Sequence, residues 1–221
     1  MQAHIRMVFR HPSAALLFLQ LASLFIYPLL IENDTRRALL TVVGTLAVLL
    51  AVWIVNRSPA MNWISWLLAV PAIGLTLAAN QFGYVALTPW AHISESLLYF
   101  YTAYALITYM FSDQHVSTDE LFAVGATFTL LAWAFSYACL FCQYQWPGSF
   151  TAAINSNDPR NWIEMLYFSF SVLSGTGLSD IVPITPPARA LVMLEMFMGV
   201  MYIALVVSRL VGLSANKSKE H

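Results

Sequence analysis

Charged residues are scarce in this sequence. Asp, Glu, Lys and Arg make up only 10% of the 221 residues, whereas 59% are hydrophobic, and a soluble globular domain carries about 25% charged residues. The ten basic and eleven acidic residues nearly cancel, so no excess of positive charge is available to bind nucleic acid. The composition therefore predicts an integral membrane protein without a nucleic-acid partner.

Cysteine is also rare, and its placement argues against cysteine chemistry. The two cysteines, Cys139 and Cys142, lie three positions apart inside an apolar run, and a zinc ribbon would need a second such pair. We interpret both as packing residues. The sequence also shows no nucleophile paired with a base, no metal-spaced His or Cys set and no phosphate-binding loop. We therefore expect neither an enzyme, nor a cofactor, nor any metal beyond permeant ions.

Long apolar runs account for most of the chain. A hydrocarbon core about 30 Å thick requires around 20 apolar residues in a helix. Runs of about that length occur at Ala14–Ile31, Ala38–Val55, Met61–Ala79, Ile93–Phe111, Leu121–Phe141 and Ala188–Leu213. No small-residue cleavage site separates the first run from Glu32, so we expect a retained helix rather than a removed signal peptide.

Basic residues near the ends of these runs predict the orientation. They lie before the first run and at the end of the last, at Arg6, Arg10, Arg209, Lys217 and Lys219. Cytoplasmic segments carry the excess of Lys and Arg, so we expect both termini in the cytoplasm. The pair Arg36 and Arg37 would fall on the opposite side and partly contradicts this orientation.

The interval between the fifth and sixth runs contains an apolar segment, Trp162–Leu173, that is too short to span a membrane. About a dozen apolar residues at membrane depth predict a re-entrant helix. Asn161 or Asp158 is placed to cap this helix, and Glu164 lies in its first turn, where a carboxylate suits the helix dipole.

A short run of small and hydroxyl-bearing residues, Ser174–Asp180 (SGTGLSD), follows this helix. Non-helical backbone at membrane depth is tolerated only where it is buried in protein or lines a water-filled path. Such a segment can direct carbonyl oxygens at a passing ion, and the negative end of the short helix points the same way. We therefore predict a conduction pathway for cations.

Residues Tyr167–Arg189 (YFSFSVLSGTGLSDIVPITPPAR) resemble the pore loop of the tetrameric potassium-channel superfamily. A pore helix, a filter, Asp, Ile-Val-Pro and an inner helix beginning with Ala-Arg-Ala follow in the same order. The resemblance implies an all-α membrane protein with six transmembrane helices and a re-entrant pore helix and filter between the fifth and sixth. It further implies a homotetramer that is surrounded by membrane lipids. This tetramer would conduct a monovalent cation, potassium or sodium. The last helix also resembles that of bacterial members, which implies the inner (plasma) membrane, and no soluble partner is indicated.

The same resemblance divides the chain into three parts: a four-helix voltage-sensor-like domain (1–112), a pore domain of outer helix, pore helix, filter and inner helix (113–213), and a short cytoplasmic tail (214–221). The fourth run contains Glu95 and no basic residue. Voltage sensing requires charges that move through the membrane field, so we do not expect voltage gating by this helix. His92 and Glu95 form either a proton-sensitive pair or an interfacial polar pair.

The predicted filter, Gly175, Thr176, Gly177, Leu178 and Ser179, replaces the family's Thr-Val-Gly-Tyr-Gly. Gly175 removes the hydroxyl of the innermost ion site, and Leu178 replaces an aromatic residue whose hydroxyl, in the family, bonds to the surrounding helices. A non-glycine residue at Ser179 costs on the order of 1–2 kcal/mol if the family's backbone geometry is kept. We expect a weakly selective or non-selective pore. The alternative is a non-conducting sensor or assembly subunit that retains the channel fold.

Three further residues receive roles from the resemblance. Asp180 would contribute to an acidic ring at the outer mouth, or would be a turn carboxylate that bonds nearby backbone. Gly199 is either a hinge of the inner helix or a site of close helix packing. Glu195 would be a structural brace behind the filter, with a permeation site as the alternative.

Overall fold

The computed structural model describes residues 12–29, 46–53, 55, 60–112 and 118–217, and most of them are helical. In chain order the helices are α1 (Pro12–Leu29), α2 (helical at 46–53), α3 (Asn62–Gln81), α4 (Thr88–Met110), α5 (Thr118–Gln145), α6 (Trp162–Leu173) and α7 (Pro186–Lys217). A 3-10 turn at Val85–Leu87 precedes α4. The two-residue strands β1 (Phe150–Thr151) and β2 (Val182–Pro183) pair antiparallel.

The predicted apolar runs coincide with helices wherever the structure describes them. Within the described residues, three helices are long and apolar enough to cross a membrane: Asn62–Ala79, Asp119–Gln145 and Pro186–Arg209. A shorter apolar stretch, Ser13–Phe25, lies in α1. Helix α4 has 23 residues, but its many tyrosines, serines and threonines lower its hydropathy. The chain is a predominantly helical membrane protein, and six spans remain a prediction.

Several residues on which the predicted orientation depends lie outside the described part of the chain, namely Arg6, Arg10, Arg36, Arg37 and Lys219. The orientation therefore stays a prediction. Helix α7 continues to Lys217, so the described start of the predicted tail, 214–217, is helical.

The chain forms two compact units, residues 1–130 and 131–221, whose boundary falls inside α5. In the first unit α3 packs against α4. The fully buried positions of α3 are small: Ser65, Ala69 and Ala72. Small side chains allow membrane helices to approach closely. Helix α3 continues through Pro71 without a break. The predicted functional division at 112/113 stays a prediction.

Polar side chains join α1 to the start of α5 within the first unit. The Ser13 backbone N–H and hydroxyl both donate to the carboxylate of Asp119, at 3.2 Å and 2.9 Å. A second contact lies about two turns further along α1, where the Thr129 hydroxyl donates to Oε1 of the buried Gln20 at 2.5 Å. Asp119 thus satisfies an otherwise unpaired N–H of the first turn of α1.

Loss of the Asp119 carboxylate should destabilise the first unit. We expect Asp119→Ala to cost about 1 kcal/mol, the usual value of a helix cap, and to lower Tm by about 2–4 °C in a detergent-solubilised thermal melt. Asp119→Asn keeps an acceptor oxygen and should lose less. Asp158→Ala removes an exposed carboxylate and is the control. Identical melting of Asp119→Ala and the wild type would contradict the capping role.

The core of the second unit forms where α5, α6 and the start of α7 meet. It contains both cysteines, which are buried and free, together with Phe150, Phe168 and Val192. The Trp162 ring packs edge-on against Trp133, with centroids 5.3 Å apart. The packing interpretation of Cys139 and Cys142 is confirmed.

Candidate functional site

A short apolar helix is present at the residues expected from the sequence, and its re-entrant position in the membrane stays a prediction. Helix α6 begins with a capping box. The Glu164 backbone N–H donates to the Asn161 side chain at 3.1 Å, and the Asn161 backbone N–H donates to the Glu164 carboxylate at 2.7 Å. Of the two capping residues considered, Asn161 is the cap. A fixed start gives the twelve-residue helix a defined direction toward the loop that follows.

A buried arginine that the sequence did not single out organises the segment before α6. Arg160 is only 4% exposed. Its guanidinium donates to the backbone carbonyls of Ile154, Asn155 and Asp158 and to the Glu164 carboxylate. Its backbone N–H and carbonyl both bond to the Gln143 side chain on α5. The sequence does not distinguish a buried loop arginine from a solvent-exposed one, because the partners of the buried guanidinium are mostly backbone carbonyls, which every residue has.

The predicted filter follows the end of α6 as a non-helical segment that is exposed except at the half-buried Ser179. Two of its glycines have left-handed backbone conformations, with φ of 71° at Gly175 and 64° at Gly177, whereas Thr176 between them keeps a negative φ. Left-handed residues in a short turn can place successive backbone N–H groups on one side of the chain. The peptide carbonyls are then directed to the other side.

Ser171 on α6 receives the N–H groups of this segment. Its carbonyl oxygen accepts from the N–H of Thr176 at 3.2 Å and of Gly177 at 3.3 Å, and its hydroxyl oxygen accepts from the N–H of Ser179 at 3.0 Å. Among the described residues, no donor contacts the carbonyl oxygens of Gly175, Thr176 or Gly177. The N–H side of the loop therefore faces α6, and these three carbonyls remain available to a ligand.

Ser179 does not adopt the strained conformation that would have carried the expected cost. Its φ is negative, and the left-handed positions lie at Gly175 and Gly177 instead. The Ser179 hydroxyl oxygen accepts from the Ile181 N–H at 3.1 Å. The loop avoids the strain because left-handed geometry falls on residues without a Cβ.

Leu178 is 74% exposed in the single chain, and its carbonyl oxygen accepts from the hydroxyl of Tyr167 at 3.1 Å. The sequence predicted that a hydroxyl contact between filter and helix is lost at Leu178. In the structure the loop and the helix are still joined by a hydroxyl contact, but the hydroxyl is on the helix and the acceptor is on the loop. Ser171 and Tyr167 were missed because neither role has a local sequence pattern.

Asp180 follows the loop as an exposed residue. In the part of the chain that the structure describes, no backbone N–H contacts its carboxylate. The carboxylate is therefore exposed at the end of the loop, and its place at the outer mouth stays a prediction.

Glu195 lies on α7 and is fully buried, near Ser169 of α6 and Cys139 of α5. Neither of its carboxylate oxygens has a hydrogen-bond partner among the described residues. Glu195 thus lies where α5, α6 and α7 meet, and its role as a structural brace behind the filter stays a prediction.

Gly199 lies one helical turn after Glu195 and touches the C-terminal end of α6. A Cβ at this position would lie 2.3 Å from the carbonyl oxygen of Leu173 and 2.8 Å from its Cα. Because these are backbone atoms, α6 itself would have to move. The geometry favours the close-packing alternative over the hinge.

Gly199→Ala should therefore destabilise the second unit. Overpacking against backbone costs roughly 1–3 kcal/mol, so we expect a Tm lower by about 2–10 °C. The control is Gly74→Ala in α3, where a Cβ meets no atom within 4 Å, and Tm should stay the same or rise slightly because Ala favours a helix. An unchanged Tm for Gly199→Ala with altered opening in single-channel recordings would support the hinge instead.

In the first unit, His92 and Glu95 of α4 lie close together. Nδ1 of His92 is 3.9 Å from the Glu95 carboxylate, and the Thr76 hydroxyl of α3 donates to the same carboxylate at 2.7 Å. Glu95 is buried. The pair therefore belongs to the packing between α3 and α4, and its proton sensitivity stays a prediction.

The sequence was compared with known protein families, curated proteins and solved structures. A family model described as an ion channel matches residues 96–214, more than half of the chain. No curated protein and no solved structure matches the chain at a significant level. The protein belongs to this ion channel family and is an integral membrane protein, as its resemblance to the potassium-channel superfamily predicted. The match begins within α4 and includes α5, α6, the loop and most of α7.

Proposed function

We propose that this protein is a homotetrameric cation channel of the potassium-channel superfamily, in which four copies of Gly175–Ser179 surround one axis. The observation that carries the proposal is the one-sided hydrogen bonding of the loop. The N–H groups of Thr176, Gly177 and Ser179 bond to Ser171, whereas the carbonyls of three successive residues, 175–177, accept from no donor among the described residues and can replace the hydration shell of an ion. Conduction is passive.

The charge distribution around the loop favours cations. The loop begins at the C-terminal end of α6, which carries the negative end of the helix dipole. Asp180 adds an exposed carboxylate at the other end of the loop, and four copies would form an acidic ring. Potassium and sodium are the proposed permeant ions.

The exposed surface of α7 supports assembly within a membrane. Met193, Phe197 and Val200 recur at helical spacing and are 63%, 61% and 64% exposed in the single chain. An apolar stripe of this kind is unfavourable in water and requires lipid or protein neighbours. Other copies of the chain and membrane lipids are the proposed neighbours.

The proposed location is a bacterial inner membrane with both termini cytoplasmic. Residues 1–112 are the proposed sensor-like domain.

Weak selectivity is the proposed consequence of the filter sequence. Gly175 provides no hydroxyl for the innermost ion site, and Leu178 provides no aromatic hydroxyl. An ion in this filter keeps more water than in one with Thr and Tyr at these positions, and partly hydrated ions are discriminated less by size. The large exposed Leu178 side chain supports one alternative, a non-conducting subunit whose axis is closed at that residue.

Reversal potentials separate these functions. Purified tetramers in planar bilayers with opposed potassium and sodium gradients should carry cation current with a reversal potential close to zero. The quadruple variant Gly175→Thr, Thr176→Val, Leu178→Tyr and Ser179→Gly should shift that potential toward the potassium equilibrium value. Unchanged selectivity in the quadruple variant would show that our account of the filter is wrong. Absence of flux from well-folded wild-type tetramers would favour the non-conducting subunit.

The proposed acidic ring predicts an ionic-strength-dependent effect. Asp180→Asn should reduce single-channel cation conductance at about 0.01 M salt, where the Debye length is about 30 Å, and have little effect near 1 M, where it is about 3 Å. Asp158→Asn removes another exposed carboxylate and is the matched control. Equal conductance of Asp180→Asn and wild type at low salt would contradict a role at the outer mouth.

A further inference from the structure

The contact between Tyr167 and Leu178 distinguishes one carbonyl of the predicted filter from the others. The Tyr167 hydroxyl on α6 donates to the Leu178 carbonyl oxygen at 3.1 Å. The carbonyls of Gly175, Thr176 and Gly177 receive no such donor among the described residues. Leu178 is therefore a filter residue whose carbonyl is bonded back to the helix.

The two sets of carbonyls differ in their contacts with α6. The N–H groups of Thr176 and Gly177 point to Ser171 on α6, so the carbonyls of their peptides point away from that helix. A carbonyl oxygen that accepts a hydroxyl at hydrogen-bonding distance must direct a lone pair toward the donor. The Leu178–Ser179 peptide is instead bonded to α6 at both ends, because its N–H donates to the Ser171 hydroxyl and its carbonyl accepts from the hydroxyl of Tyr167, one helical turn earlier. The Leu178 carbonyl is therefore occupied by a donor of this helix, unlike those of Gly175 and Thr176.

We propose that Tyr167 is a positioning residue that determines specificity: it withholds the Leu178 carbonyl from the ion path and leaves the filter one coordination layer short. The proposal rests on the proposed function, since it requires that the carbonyls of residues 175–177 line the axis. An ion at the outer end of the filter then replaces the missing oxygens with water. Discrimination between potassium and sodium is weakened because it depends on protein oxygens in place of the hydration shell.

Tyr167→Phe tests this role, because it removes the donor and keeps the ring. Full-length wild type and variant are compared in planar bilayers under opposed potassium and sodium gradients. We expect the potassium-to-sodium permeability ratio of Tyr167→Phe to rise by roughly two- to tenfold, the equilibrium effect of one hydrogen bond. Tyr101→Phe is the matched control, since the Tyr101 hydroxyl also donates to a backbone carbonyl, that of Met61 at 2.8 Å, in the first unit. Its ratio should equal that of the wild type.

A second measurement does not require conduction. Potassium that binds the folded channel raises Tm with its concentration, so thermal melts in potassium, sodium and choline chloride report ion binding directly. The potassium-specific rise in Tm should be larger in Tyr167→Phe than in wild type and Tyr101→Phe. If Tyr167→Phe does not assemble, Tyr167→Met also lacks the donor and offers a flexible side chain in its place.

The outcomes separate this proposal from the proposed function. Absence of wild-type flux overturns the channel function, and the melts then decide the role of Tyr167 alone. An unchanged permeability ratio in a conducting Tyr167→Phe channel overturns the role of Tyr167 and leaves the channel function intact. An unchanged potassium-specific rise in Tm overturns it as well.

Discussion

The hydrogen bonds between Ser171 and the loop at 176–179 are the interaction on which the proposed conduction site depends. At membrane depth an unpaired backbone N–H costs several kcal/mol, so a non-helical segment must find acceptors within the protein. Ser171 provides them with one carbonyl and one hydroxyl oxygen. Because the N–H groups of Thr176 and Gly177 face α6, the carbonyls of the same peptides, those of Gly175 and Thr176, face away from it.

The remaining contacts of the second unit hold α6 in the place that this interaction requires. The Asn161 capping box fixes its start, and buried Arg160 ties the preceding segment to it and to α5. At the other end, the absence of a side chain at Gly199 lets α7 touch the backbone of Leu173. Helix α6, whose middle packs in the core of the second unit, is therefore also fixed at both ends.

Sequence reasoning succeeded where a signal was local. The length of the apolar runs predicted the helices. The order of Asn161, about twelve apolar residues and a glycine-containing loop predicted both ends of α6 correctly. It failed where a role depended on a partner distant in the chain or on backbone direction. The partners of Arg160 and Tyr167 are carbonyl oxygens, which every residue has, so residue identity carries no information about them. The cost considered at Ser179 does not arise, because it was conditional on the family's backbone geometry and Ser179 has a negative φ here.

The sequence by itself determined the class of this protein: apolar runs with few charges require a membrane, and the loop between a short helix and a last long one belongs to an ion channel family. Only the tertiary structure decided which groups of that loop are bound and which are free. Ser171 takes up the N–H groups, Tyr167 takes up the Leu178 carbonyl, and three carbonyls remain. The physical reason is that hydrogen-bond direction depends on backbone conformation, set here by left-handed glycines at 175 and 177 and by the position of α6.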